Sequence, residues 1–70
     1  AVMAKLATLS LRERQVLEGV VAGKPNKTIA RDLGISPRTV EVYRANLMTK
    51  MGAGSLSELV RMALLASPTN

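Results

Sequence analysis

The chain has no cysteine, histidine, phenylalanine or tryptophan, and a single tyrosine. Without cysteine it has neither a disulfide staple nor a thiolate zinc site, which agrees with a reducing intracellular setting. Without histidine as well, it lacks the commonest metal ligand and the most frequent general base, so neither metal nor other cofactor is expected. No nucleophile–base pair, acid pair or phosphate-binding glycine loop is visible either, and an enzyme is the class least supported. Long hydrophobic runs are missing: nothing approaches the roughly 18 apolar residues of a membrane span, and the N-terminus lacks the pattern of a signal peptide. A soluble, cytoplasmic protein with no membrane partner is expected. The scarcity of aromatics leaves an aliphatic core.

At 70 residues the chain is expected to form one domain over 1–70, in which a chain of this size buries only about 60% of the surface it exposes when unfolded. It contains no internal repeat, low-complexity tract or internal linker. A start at Ala1-Val2 rather than Met suggests a piece of something longer. The net charge is +5, and its placement matters more than its size. Between Lys24 and Lys50 lie six basic residues (Lys24, Lys27, Arg31, Arg38, Arg44, Lys50) against two acidic ones (Asp32, Glu41), a local excess of four. Such a field attracts nucleic acid or an acidic protein surface. It also serves solubility alone in many small domains, so charge by itself leaves the partner open.

Residues 1–8 show no clear period. Ser10 and Glu13 then form the capping box Ser-x-x-Glu, in which hydroxyl and carboxylate satisfy each other's backbone N–H groups. The pattern predicts a helix over 11–22 with Val16, Leu17, Val20 and Val21 inward, closed by Gly23 and Pro25. Glu13 is read as a cap rather than a catalytic acid, because no second acid, His or Cys accompanies it. Asn26 reads as the next N-cap, opening a short helix over 27–33 with Ile29, Ala30 and Leu33 inward and Gly34 as its stop. Ser36 as N-cap and Pro37 at the first helical position start a longer helix over 37–51, which Gly52 ends. Only Ile35 and Ser36 separate Gly34 from Pro37, so these two helices meet across a tight turn, the arrangement of a helix-turn-helix. A second capping box, Ser55-x-x-Glu58, opens a helix over 56–66 with Leu56, Leu59, Val60 and Ala63 inward. The whole reads as an all-α, compact four-helix helix-turn-helix domain.

On the 37–51 helix, Val40, Tyr43, Leu47 and Met51 share one face, with Arg44 and Met48 at its edge. The opposite face carries Arg38, Glu41, Val42, Ala45, Asn46 and Thr49. This mixture offers a groove-filling helix a donor, an acceptor and a methyl contact. Val42 has two readings at this point, an ordinary exposed apolar residue or a contact surface. On the last helix Met62, Leu65 and Ala66 form a second apolar strip, which either meets another subunit or domain or folds back on Val2, Met3 or Leu6.

Three separated blocks agree in order and spacing with a known family. Leu9-Ser-Leu-Arg-Glu-Arg14, the stretch from Asn26 through Ile35-Ser-Pro-Arg-Thr-Val-Glu-Val-Tyr-Arg to Ala45, and Lys50-Met-Gly52 together resemble the LuxR/FixJ class of bacterial transcription regulators, over about residues 8–66. The resemblance implies a C-terminal output domain behind a phosphorylatable receiver or small-molecule sensor. It further implies binding of double-stranded promoter DNA as a homodimer through the last helix. By position, base-reading sites fall on Glu41, Val42 and Ala45. Phosphate contacts fall on Arg38, Thr39, Arg44 and Lys50, with Asn26 and Lys27 at the start of the preceding helix. Dimerisation falls on Met62, Leu65 and Ala66. The family commonly has basic residues where this chain has Glu41 and Ala45, and often His where it has Tyr43.

Other classes compatible with the same features are a helical module docking an acidic protein, and a sigma-factor promoter-binding domain working within RNA polymerase. The first has no need of the tight Gly34 turn.

Overall fold

In the computed structural model, residues 2–66 are described, and side chains from Ala4 to Leu65. Five helices are present among them: α1 (Val2–Ala7), α2 (Leu11–Val21), α3 (Asn26–Leu33), α4 (Pro37–Met51) and α5 (Leu56–Ala66). The expectation of four helices is thus corrected by α1. Its six residues span less than two turns, too few for a helical period to register in the sequence. It is held by packing on α4 and α5 and by the Arg14 guanidinium, whose Nη2 donates to the Leu6 carbonyl at 3.1 Å. The same carbonyl also accepts from the Leu9 N–H at 3.1 Å, so Arg14 adds a second donor at the end of this short helix.

The remaining helices begin and end for local reasons. Ser10 and Glu13 form the reciprocal capping box, with Glu13 N–H on Ser10 Oγ at 3.2 Å and Ser10 N–H on Glu13 Oε1 at 2.8 Å. α2 stops at Val21 with Ala22 as its C-cap, one residue earlier than expected. At α3 the reading of Asn26 as N-cap is corrected. Pro25 occupies that position with extended backbone and no side-chain bond, and Asn26 is the first helical residue. Its amide reaches across to α4 instead. Ser36 caps α4 by accepting from Thr39 N–H at 3.1 Å, with Pro37 at the helix start and Gly52 in the left-handed conformation at the end. The cap of α5 differs from a strict box: Ser55 Oγ accepts from Glu58 N–H at 3.1 Å, but the Glu58 carboxylate accepts from Gly54 N–H rather than from Ser55.

α4 is the central element and packs against each of the other four helices. Val40, Leu47 and Met51 are completely buried there, joined by Val16 from α2, Ile29 from α3 and Leu59 from α5. Tyr43, Met48, Leu33 and Ile35 pack around this cluster half-buried. Leu56, expected inward, is 44% exposed. One feature of the α2–α3 contact leaves no mark in the hydrophobic pattern. Gly19 lies inside α2, where glycine weakens a helix, and a Cβ built on it would stand 2.7 Å from Ile29 Cγ1 and 2.9 Å from Cδ1. The missing side chain is what lets α3 seat Ile29.

Gly19→Ala should therefore destabilise the domain. Overpacking a fixed, β-branched neighbour costs about 1–3 kcal/mol, and the gain in helix propensity returns only about 0.5–1 kcal/mol. Urea unfolding is expected to show a lower midpoint. A raised midpoint would mean that α3 shifts freely away from α2.

Candidate nucleic-acid interface

The turn between α3 and α4 sets the site. Gly34 adopts φ 69°, and its N–H and that of Ile35 return to the carbonyls of Arg31 and Ala30 at 3.3 and 3.0 Å. The chain reverses into Ser36 and enters α4 directly. Because Val40, Leu47 and Met51 are buried, the opposite side of α4 must face solvent. Arg38, Glu41, Val42, Ala45, Asn46 and Thr49 all lie there exposed, with Thr39 and Arg44 half-buried at its borders. Val42 is 54% exposed. The hydroxyls on this surface are engaged locally, Thr39 Oγ1 with Ser36 Oγ at 2.9 Å and Thr49 Oγ1 donating to the Ala45 carbonyl at 3.2 Å. Tyr43 is half-buried at the core edge.

The basic residues divide into two sets. Arg12 donates to the Leu33 carbonyl at 3.2 Å and thereby ties α2 to the end of α3. Lys24 pairs with Asp32 at 2.9 Å across the α2–α3 side. Arg44 Nη1 donates to Asn26 Oδ1, joining two of the anticipated phosphate contacts. Lys50, also expected at phosphate, places Nζ 2.8 Å from Glu13 Oε1 and 3.4 Å from the Thr8 carbonyl oxygen. An ammonium has three N–H donors, and the Lys50 side chain is 40% exposed, so one donor stays available to a partner. Lys27, Arg31 and Arg38 are exposed and make no ion pair among the described residues.

Glu13 is the residue whose full role sequence reasoning missed. Its side chain is 6% exposed and accepts from both Lys50 and the Ser10 backbone. The Lys50 hydrogen bond first, and the Ser10 N–H second, hold its carboxyl below the ordinary value of 4.5 against the opposing effect of burial. The capping box was visible from a spacing of three, but nothing in the sequence signals a partner 37 positions away.

On α5, Leu65 is 77% exposed while Met62 is half-buried against the core, and the side chain of Ala66 lies outside the described residues. The expected strip therefore offers Leu65 fully and Met62 in part. Leu64, not anticipated, is 58% exposed, and Leu56, two turns earlier, is exposed as well, while Val60 between them is half-buried against the core. Among the described residues no helix is long and apolar enough to cross a membrane.

A short bracing helix, a glycine turn and a longer helix with a polar outer face define a helix-turn-helix domain. The chain belongs to the luxR family of bacterial regulatory proteins, whose model matches residues 7–63. That membership bears out the expectation of a non-enzymatic domain. The chain is similar to the transcriptional regulatory protein FixJ of Azorhizobium caulinodans, 77% identical over 62 residues that cover 89% of this chain and 29% of the relative. FixJ of Rhizobium meliloti is 71% identical over 63 residues, covering 90% and 31%. Among solved structures, full-length FixJ from B. japonicum superposes with a TM-score of 0.89 at 64% identity, covering 99% of this chain and 34% of that one. The C-terminal transcriptional activator domain of FixJ from Sinorhizobium meliloti gives 0.83 at 66% identity, covering 97% and 89%. The chain thus spans about a third of the full-length relatives it matches.

The Glu13 geometry generates a pH dependence. Its folded-state pKa is depressed, so its stabilising contribution is complete above the ordinary carboxyl range and is lost as pH falls through the lowered value. Glu13→Gln should flatten the acid side of the stability–pH curve below about pH 4.5 while lowering stability at neutral pH. Denaturant midpoints of the two proteins across that range check it. Parallel curves would remove Glu13 as an acid-sensitive anchor.

Proposed function

We propose that this domain binds double-stranded promoter DNA sequence-specifically, with α4 in the major groove and the start of α3 on the phosphate backbone. The observation that carries the reading is the outer face of α4, a fixed, exposed surface of mixed chemistry centred on a 54% exposed valine. Basic residues supply affinity and the outward face supplies sequence choice. Val42 contacts a thymine methyl, Glu41 accepts from a cytosine amino group, and Ala45 is small enough to let the helix approach the base edges. Arg38, Thr39, Arg44 and Lys50 with Asn26 and Lys27 hold phosphates, Lys50 through the donor left over from Glu13 and Thr8.

By analogy with the FixJ regulators, the parent protein carries an N-terminal regulatory domain and acts as a cytoplasmic response regulator of nitrogen-fixation genes. RNA polymerase is a further partner in that setting. The domain binds as a homodimer through α5, where Leu65, Met62 and Ala66 form the contact. The exposure of Leu65 supports this assignment.

Two measurements test the reading. In mobility shifts on a selected site and on random duplex, Val42→Ala should lower specific binding by about 1–3 kcal/mol and leave random binding unchanged. Lys27→Ala should weaken both alike and reduce the salt slope by about one unit. Equal specific-to-random ratios for the two variants would sink the base-reading assignment. For dimerisation, Leu65→Glu is the clean substitution, because Met62 also packs on the core. It should leave the monomer folded and lower affinity for an operator with two half-sites; unaffected binding there would place the dimer contact elsewhere.

A further inference from the structure

Asn26 and Arg44 are 18 residues apart, on different helices, and are joined side chain to side chain. Both are half-buried at the border of the outward surface. Arginine has only donors, so the Asn26 atom facing it is the carbonyl oxygen, and the amide's NH2 group is left over. That group makes no hydrogen bond to another described residue. Asn26 thus spends its only side-chain acceptor on fixing a guanidinium and keeps its two donors.

We propose that Asn26 is a positioning residue for Arg44, and that the pair acts as one unit on a single DNA phosphate, joining α3 to α4 on the same backbone segment. The proposal rests on the DNA-binding reading above and deepens it. An unrestrained arginine loses considerable rotamer freedom on binding; a planar guanidinium already held at one edge loses less, with its remaining N–H groups set for phosphate oxygens. The acceptor also has the right polarity. A neutral amide holds the guanidinium without cancelling its charge, whereas a carboxylate in its place would bind Arg44 more strongly and repel phosphate. Lys50, by contrast, is held by the carboxylate of Glu13, so the two cations at the edges of α4 differ in what their partners leave for DNA.

The contrast between amide and carboxylate provides the test. The probe is a labelled random-sequence duplex titrated at several salt concentrations, with thermal unfolding measured on each variant. Asn26→Asp is expected to unfold at the same or a higher temperature and yet to bind about tenfold more weakly, with a salt slope lower by about one unit or more. If Asn26 serves the fold alone and stands off the phosphates, Asp preserves the tie between α3 and α4 and binding matches the parent; that result overturns the proposal. Arg44→Ala should also lose about one unit of slope, and Asn26→Ala should weaken binding less in that background than in the parent, by at least about threefold. Losses that simply multiply would show two independent residues and reject the pairing. Arg44→Lys guards against a folding defect, since it keeps the charge without the planar fork; there too the effect of Asn26→Ala should shrink, and an undiminished effect counts against the proposal. Failure of the DNA-binding reading has a different signature, namely a parent protein that does not bind the duplex at all.

Discussion

Everything about the outward surface depends on the three residues from Gly34 to Ser36. They allow α3 and α4 no slack: the last turn of one helix closes on a left-handed glycine, and the next residue but one already caps the other. A Cβ on Gly34 would meet nothing within 4 Å, so the requirement is for the backbone conformation and not for space. Ile35 sits half-buried between the two caps and pins the turn to the core. Arg12, from α2, takes the Leu33 carbonyl just before it. With the turn held on both sides, the rotation of α4 about its axis is decided. A slip of one residue would swing each side chain by about 100° and move Glu41 toward the position of Val40, which is completely buried.

The same economy governs the charges. In a domain this small, cations that look alike in the sequence have unlike duties. Arg12, Arg14 and Lys24 satisfy carbonyls or a carboxylate of the fold itself. Lys50 fastens the last turn of α4 to the cap of α2 through a buried carboxylate, which would be costly if left without its partner. Lys27, Arg31 and Arg38 remain outside such arrangements among the described residues. The basic excess of the central segment is therefore an upper bound on the charge that meets a polyanion, and the geometry assigns the shares.

What could be read from the sequence follows the range of the interactions. Caps and stops are local, and so the box at Ser10–Glu13, the start of α4 at Ser36-Pro37 and the ends at Gly34 and Gly52 were legible. The inward face of α4 was legible too, because fifteen residues carry four turns of a period. Contacts between distant residues left no such mark. Glu13 with Lys50, Asn26 with Arg44 and Gly19 under Ile29 each depend on how helices cross, and a one-dimensional pattern does not encode that. Helix α1 was missed for its brevity. On α5 the pattern showed surplus apolar residues but not which were surplus, since helix docking, and not the period, decided that Leu56 and Leu64 face out while Met62 turns partly in.

Val42 shows where folding and recognition separate. The site residues at the borders of α4 contribute to the fold as well: Arg44 through Asn26, Lys50 through Glu13, Thr39 through its contact with the Ser36 cap. Val42 contributes almost nothing of the kind. About half of its surface stays in water, and valine is a poorer helix former than the lysine or glutamate that a solvated position accommodates equally well. Neither burial nor propensity therefore calls for a valine at this position, and the proposed contact with a thymine methyl would give its side chain a use. In the proposed complex, affinity then comes largely from residues that the fold also uses, and sequence choice from residues that it does not. Changes to the outward face would alter which sequence is read while leaving the domain intact, whereas changes at its borders would disturb both.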